Sequence, residues 1–560
     1  LEYVIESLAP TTERDFTLLP EEKQHIYQML QQVHMHGSPD GPWFFLIAQS
    51  AQAEKVFRLI GITDTSMLRP QVFALQEGPV AIGFAASEKQ AIDAALESLA
   101  TEDSRFWSYA DRYWNARGGS HTDGGAFVFT VQPNGGGATM VCTDKFGRRI
   151  TVDGQKKPLI GEIKVNPNDP KNNPVAVTRF SAPELFRKVT QQLPGWSYED
   201  VLAFLSELER SISNNEERRK AIETLTLLLD RRYATGKLRR SSLLSLLSRS
   251  LISIFESIRQ SPSKDYIFLN TQEPSPSSAN KKQTIVIDAR SFAAEGESSL
   301  ALEVVQLYQQ GFRRFVIIHA QGHRFIANGL GAKSHDVRID VYGSSGDYLA
   351  SGIDGAEVFV HGNAQDQLAQ IMKDGRLVVY GDVGQTFMYA AKGGEAFVLG
   401  NAAGRPLINA VGKPRVVING TCLDYLAESF MAGDPFNGGG FVILNGITFD
   451  DDGDIVELET PYPGGNLFSL ASGGAIYVRD PYQKVTIEQL NGGEFVKFTD
   501  RDWALIQPYL EENEQLFGIP VARLLEIEGK SLAPREVYRK IRPHTVKALQ
   551  AEEAWVREED

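Results

Sequence analysis

Two cysteines, Cys142 and Cys422, are the chain's entire stock. They cannot build a disulfide framework, and alone they cannot ligate a structural zinc ion or an iron–sulfur cluster. So low a cysteine count points to a reducing, cytoplasmic setting. Basic residues are also short. Lys and Arg number 57 against 71 Asp and Glu, a net charge of −14. That balance argues against a nucleic-acid partner, which needs clustered cations on phosphates. No apolar run approaches the ~18 residues that a membrane-spanning helix requires. The opening LEYVIESLAPTTERDF is acidic and helix-like, and carries none of the marks of a signal peptide. The chain is 560 residues long and 42% hydrophobic, so one core cannot serve it and several domains are expected.

The texture changes along the chain. Residues 1–175 mix short apolar runs (44–48, 57–62, 80–86 and 126–131) with Gly and Pro turns, which reads as strands. Residues 87–99 read as a helix, with Ser87 as its cap and Gln90 closing a capping box. Residues 176–260 form a helical connector. Val201, Leu202, Leu205 and Leu208 recur at helical spacing, and a second helix is expected over 241–258. That second helix follows the basic stretch RRYATGKLRR. Packing on its own protein is preferred there to binding a membrane. Residues 261–282, rich in Ser, Pro and Lys, read as a linker. Residues 283–490 are rich in Gly and short strands, and 491–560 read as a charged helical tail.

The glycines of the fourth region repeat. Gly343, Gly362, Gly381, Gly400 and Gly420 follow one another at 19 or 20 residues, and Gly446 continues after an insertion. Four residues before them stand Ile339, Val358, Leu377, Ala396, Val416 and Val442. Two before stand Val341, Val360, Val379, Val398, Ile418 and Leu444. After the first five come Ser344, Asn363, Asp382, Asn401 and Thr421. Positions −4 and −2 share one face of a strand. The glycine then permits a sharp turn with φ > 0, and the small polar residue bonds the turn backbone. A coil this short cannot bury its own apolar face, but stacked coils can. The expected architecture is a right-handed parallel β-helix.

Over 283–480 this stretch resembles the GXGXG domain. That domain forms the C-terminal part of the large glutamate synthase subunit and also occurs in formylmethanofuran dehydrogenase, as one of its subunits. The resemblance implies a scaffold that positions active sites lying elsewhere. Residues 57–93 are similar to the class II glutamine amidotransferase pattern: a strand ending at Asp64, then Arg69-Pro70, then a strand running into Ser87-Glu88. That family attacks glutamine with an N-terminal Cys. Leu1 stands first here, so no nucleophile is assigned. Either a catalytic half lies upstream or the domain is a remnant.

The fold class expected is thus multidomain α+β and all-β: an amidotransferase-like α/β sandwich portion, a helical connector and a β-helix. The resemblance implies a subunit of a glutamate synthase-like complex, with ammonia passing from glutamine to 2-oxoglutarate. FMN and an iron–sulfur cluster would sit on partner subunits and none in this chain. A non-catalytic scaffold in another redox or one-carbon complex, of the formylmethanofuran dehydrogenase kind, is the alternative. Self-association through exposed β-helix ends is a further expectation.

Other candidates favour ordinary structure. Cys142 reads as a buried strand thiol and Cys422 as packed in the solenoid. Ser120, His121 and Asp123 crowd one Gly-rich loop, whereas triads assemble from separate elements. Residues 322–334 fail the P-loop spacing and read as an entry loop to the first coil. His319, His323 and His335 lack metal spacing. Residues 449–459 have Gly misplaced for a calcium loop and read as a hairpin.

Overall fold

The computed structural model describes the backbone of five N-terminal strands, residue 177, and residues 180–544 apart from 239, 261–262, 273–279 and 451. The chain divides into two compact units. One comprises 1–114, 119–166 and 237–245; the other comprises 115–118, 167–236 and 246–560.

In the first unit, β1 (Phe44–Ala48), β2 (Gln71–Leu75), β3 (Gly78–Phe84), β4 (Phe127–Asn134) and β5 (Gly137–Asp144) form a mixed sheet of order β1-β3-β2-β4-β5. Strand β1 runs parallel to β3, and β4–β5 is an antiparallel hairpin with Phe129 opposite Cys142. The described parts of the apolar runs at 44–48, 80–86 and 126–131 therefore fall on strands. The run at 57–62 and the helix expected over 87–99 lie outside the described residues.

The helical region resolves into α1 (Ala182–Gln192), α2 (Tyr198–Arg210), α3 (Asn215–Asp230) and α4 (Arg240–Ser257). Their caps are written in sequence. The Asp200 amide donates to the Ser197 hydroxyl at the start of α2, and the Glu216 and Glu217 amides donate to Asn214 at the start of α3.

The stretch expected as a linker contains a strand. β6 (Tyr266–Leu269) pairs in parallel with β7 (Thr284–Asp288). The short run YIFL is apolar enough to join a sheet, although Ser and Pro flank it. After β7 come α5 (Leu300–Gln309), β8 (Arg314–His323), β9 (Arg338–Ser345), β10 (Asp354–Val360), β11 (Asp374–Val379), β12 (Glu395–Val398), β13 (Arg415–Ile418) and β14 (Phe441–Leu444). A hairpin of β15 (Ile447–Phe449) and β16 (Ile455–Glu457) occupies the Asp-rich stretch, as its alternation implies. Then follow β17 (Ala475–Arg479), β18 (Gly493–Val496), α6 (Asp500–Phe517) and β19 (Tyr538–Pro543). Twelve strands make one sheet of order β18-β19-β17-β14-β13-β12-β11-β10-β9-β8-β7-β6. It is parallel from β6 to β17, with β19 antiparallel to both β17 and β18. The tail expected to be helical is therefore helix and strand.

The repeat sets the register. Val358 lies opposite Ile339 and Leu377, Leu377 opposite Ala396, and Ala396 opposite Val416. Both the −4 and −2 rows point into one continuous core, buried to within 1%. Position −3 is apolar as well from the second coil on, Asp340 standing there on the first. Phe359, Val378, Phe397, Val417, Ile443 and Tyr477 form a second core on the opposite face, packed against Ile506, Leu510 and Phe517 of α6. Burial on both faces explains why these strands read as unbroken apolar runs.

The rung glycines serve a different purpose from the one their spacing suggests. Gly343 and Gly446 do have φ of 119° and 62°, but Gly362, Gly381, Gly400 and Gly420 do not fall in the left-handed region. Space is the constraint. A Cβ on Gly381 would lie 2.2 Å from Asn363 Oδ1, one on Gly400 2.1 Å from Asp382 Oδ1, and one on Gly420 2.3 Å from Asn401 Oδ1. The polar residue after each glycine crosses above the next glycine to accept the following amide. Asp382 donates to Asn363 at 2.8 Å, Asn401 to Asp382 at 2.6 Å, and Thr421 to Asn401 at 3.0 Å.

The left-handed backbone lies farther along each coil, in an arch where every second residue has φ > 0: 367, 369 and 371; 386, 388 and 390; 405, 407 and 409; 425, 427 and 429; 466, 468 and 470. None of these is glycine, so each costs about 1–3 kcal/mol locally. The neighbouring coils hold them there. The Ala369 amide donates backwards to Leu349, while those of Gln367 and Ile371 donate forwards to Gln385 and Tyr389, all at 2.8 Å.

Candidate functional site

The position just before each rung glycine carries the unusual chemistry. Tyr342, His361 and Tyr380 occupy it on three successive coils, and their rings stack. Tyr342 and His361 centroids lie 4.1 Å apart at 8°, and His361 and Tyr380 lie 5.2 Å apart at 7°. The His361 side chain is 2% exposed. Its Nδ1 contacts both carboxylate oxygens of Asp230, at the end of α3, at 3.1 and 2.9 Å, and its Nε2 lies 3.3 Å from Asp340 Oδ1. Only an imidazolium can donate from both nitrogens. Burial opposes that charge, but the Asp230 and Asp340 carboxylates outweigh it and hold the ring up to about 9. Asp340 is itself desolvated. Its bonds to His361 and Arg338 nonetheless pull it down to about 2. Arg338 grips it through Nε at 2.9 Å and Nη2 at 2.8 Å. Arg338 and Asp340 offset each other, while burial holds the Asp230 carboxyl above its ordinary value despite its contact with His361.

Helices close over this cluster. Thr226 Oγ1 lies 2.8 Å from the Tyr342 hydroxyl. Arg231 donates to the Glu514 and Gln515 carbonyls at the end of α6, where cations suit the helix dipole. Tyr380 meets Phe517 edge to face at 5.3 Å. Farther along the same row, Asn419 donates to the Val398 carbonyl and exchanges bonds with Asn513 of α6 at 2.8 and 3.0 Å. Asn445 donates to Asn419 and accepts from Tyr538. With both His361 nitrogens committed to carboxylates, no lone pair is left to abstract a proton. The row clamps α3 and α6 to the sheet.

Position −5 carries alternating charge. Arg338, Glu357, Arg376, Glu395 and Arg415 lie opposite one another in register across five strands. Arg376 reaches Glu395 at 2.9 Å and Glu512 of α6 at 2.7 Å. Sequence reasoning missed both of these rows, −1 and −5. Their signal was the same 19-residue period read at a different phase.

Of the other residues singled out from sequence, those that are described do not converge. Asp64, Arg69, Pro70, Ser87 and Glu88, and the Ser120, His121 and Asp123 loop, lie outside the described residues. Cys142 is on β5. His319 contacts Glu256 at 3.2 Å, His335 contacts Asp374 at 3.3 Å, and His323 lies 3.4 Å from the Phe292 carbonyl, three separate places. Among the described residues no group of three His, Cys, Asp or Glu could hold a metal ion, and no helix is long and apolar enough to cross a membrane. Cys422 is fully buried, and burial together with Asp424 pushes its thiol far above the ordinary range. In a Cys142→Ser chain, Ellman's reagent should therefore find no thiol until the protein unfolds. Rapid labelling of the native chain would contradict that burial.

Residues 290–529 match the GXGXG motif family. The uncharacterized protein MJ1350 of Methanocaldococcus jannaschii is 36% identical over 261 residues, which is 45% of this chain and 93% of its own length.

Proposed function

Because this chain belongs to the GXGXG motif family, we propose that it is the scaffold subunit of a glutamate synthase-like complex. Its coil region forms a right-handed β-helix, and its N-terminal unit is an amidotransferase-like portion. Partner subunits carry the FMN and the iron–sulfur cluster and perform the redox step that turns 2-oxoglutarate and glutamine-derived ammonia into glutamate. The observation that carries this reading is the use to which the coil region puts its polar side chains. Asn363, Asp382 and Asn401 serve the next coil's backbone, and His361, Asn419 and Arg376 clamp helices. Such a surface gives rigidity to something docked on it. The two cysteines fall short of a cluster's usual ligand set, so the cluster belongs to a partner.

The test is affinity purification of the tagged chain from its natural source. Flavin and iron-containing subunits should accompany it, and the eluate should form glutamate from glutamine and 2-oxoglutarate when given a reductant. Glutamate formation that persists unchanged in cells lacking the chain would overturn the reading.

A further inference from the structure

We propose that Arg314, the first residue of β8, anchors an acidic side chain of a partner subunit that docks where β7, β8 and β9 begin. The inference rests on the subunit reading above.

The −5 row sets a rule that Arg314 breaks. From Arg338 to Arg415, every cation of the row has a glutamate opposite it on at least one neighbouring strand, and Arg376 also takes Glu512 from α6. Arg314 holds the same position one coil earlier. Its neighbours in register are Thr284 on β7 and Arg338 on β9. A neutral residue therefore stands on one side and a like charge on the other. Arg338 is already engaged, for two of its nitrogens hold Asp340 and the Phe359 ring centre lies 3.9 Å from its guanidinium carbon. Arg314 is exposed and makes no hydrogen bond or ion pair with its side chain among the described residues.

The surroundings deepen the imbalance. Lys281 and Lys282 precede β7, Arg313 precedes β8, and Arg338 opens β9. Against these cations and Arg314 stand Asp336, which pairs with Arg313 at 3.0 Å, and Asp340. The Lys282 ammonium is exposed and, among the described residues, likewise unpaired. The whole chain carries −14, so this corner runs against the balance of the rest. Such a corner draws an acidic surface and fixes its register. A guanidinium takes a carboxylate through two parallel bonds, which makes Arg314 the specific member and the lysines the general attraction. A local rule broken without compensation inside the chain points to a contact made outside it. A second copy fits less well, because a two-fold contact centred on this corner would bring like charges together.

The test uses the full chain with its co-purified partner. Arg314→Glu should weaken the partner's binding at least ~30-fold. In the free chain the same change continues the alternation beside Arg338, so the thermal midpoint should hold or rise by about 1 °C. An arginine with a merely structural role would lower both readouts together. Arg314→Lys keeps the charge and loses the fork, so it should retain the partner with a loss of about threefold to tenfold. Raising NaCl from about 50 to about 500 mM should weaken the wild type at least ~10-fold and the Arg314→Glu chain less. Carbodiimide coupling of the Arg314→Lys chain, which joins an amine directly to a carboxylate, should link position 314 to an Asp or Glu of the partner. The proposal fails if Arg314→Glu keeps the partner at wild-type affinity, a result that would leave the subunit reading standing. It fails also if that change lowers the free chain's midpoint by more than about 3 °C, or if the carbodiimide link runs to a second copy or within the chain. A wild-type chain that purifies alone would defeat the subunit reading and this inference with it.

Discussion

Replacing His361 with leucine should destabilise the coil unit by about 3–5 kcal/mol, the cost of removing one partner from a buried ion pair. Leucine leaves the Asp230 carboxylate desolvated with no cation in contact, and it leaves Asp340 to Arg338 alone. The pH dependence has a definite sign. The ring's value is 6.5 when free and about 9 when folded, so its contribution is fully present below about pH 6.5. It is lost as pH rises through about 9. Asp340 works the other way. Held at about 2 against an ordinary 3.8, it stabilises above about pH 4 and gives way as pH falls through 2. Urea unfolding across pH 6 to 10 should therefore show an alkaline decline in the wild type that His361→Leu lacks. Adding Asp230→Asn to the leucine variant should recover part of the loss, because the stranded charge is then gone. A leucine variant within 1 kcal/mol of wild type, with the same alkaline slope, would mean that the centre does not clamp α3.

The second large effect is expected at Gly400. Alanine there puts Cβ 2.1 Å from Asp382 Oδ1 and 2.9 Å from the Gly381 carbonyl. The Asp382 side chain must then leave, and with it the bond from the Asn401 amide. Overpacking and a lost bond to a charged acceptor together come to about 3 kcal/mol. Gly362→Ala is the matched control. Its Cβ would meet only the Gly343 carbonyl at 3.5 Å, an ordinary contact, and its cost should stay below about 1 kcal/mol. Asp382→Ala removes the obstacle, so the double variant with Gly400→Ala should cost less than the two single changes added together. Equal losses at Gly362 and Gly400 would refute the steric account.

What the sequence revealed and what it hid follow from period and phase. A row whose side chains are all aliphatic announces itself, and the −4 and −2 rows were legible as a shared core face. The polar row after each glycine was legible too, but its target was not. Asn363 and Asp382 bond the next coil and not their own turn, because a neighbouring coil is invisible to a local reading. The left-handed arches were hidden for the same reason. Residues such as Thr386, Met388 and Ala390 carry no local preference for φ > 0 and adopt it only under hydrogen bonds from coils on both sides. The strand Tyr266–Leu269 was masked by its Ser and Pro flanks. His361 was overlooked because its two carboxylates come from positions 131 and 21 residues away.

The alternation of Arg338, Glu357, Arg376, Glu395 and Arg415 has a consequence for how such a chain can grow or shrink. Removing one coil, residues 357–375, would seat Arg338 directly beside Arg376 and set like charges face to face. Removing two would restore an opposite pair, Arg338 against Glu395. The stack therefore has a parity. Within these five strands an odd change in coil number sets like charges side by side, as Arg314 and Arg338 already stand at the first of them, whereas an even change keeps opposite charges paired.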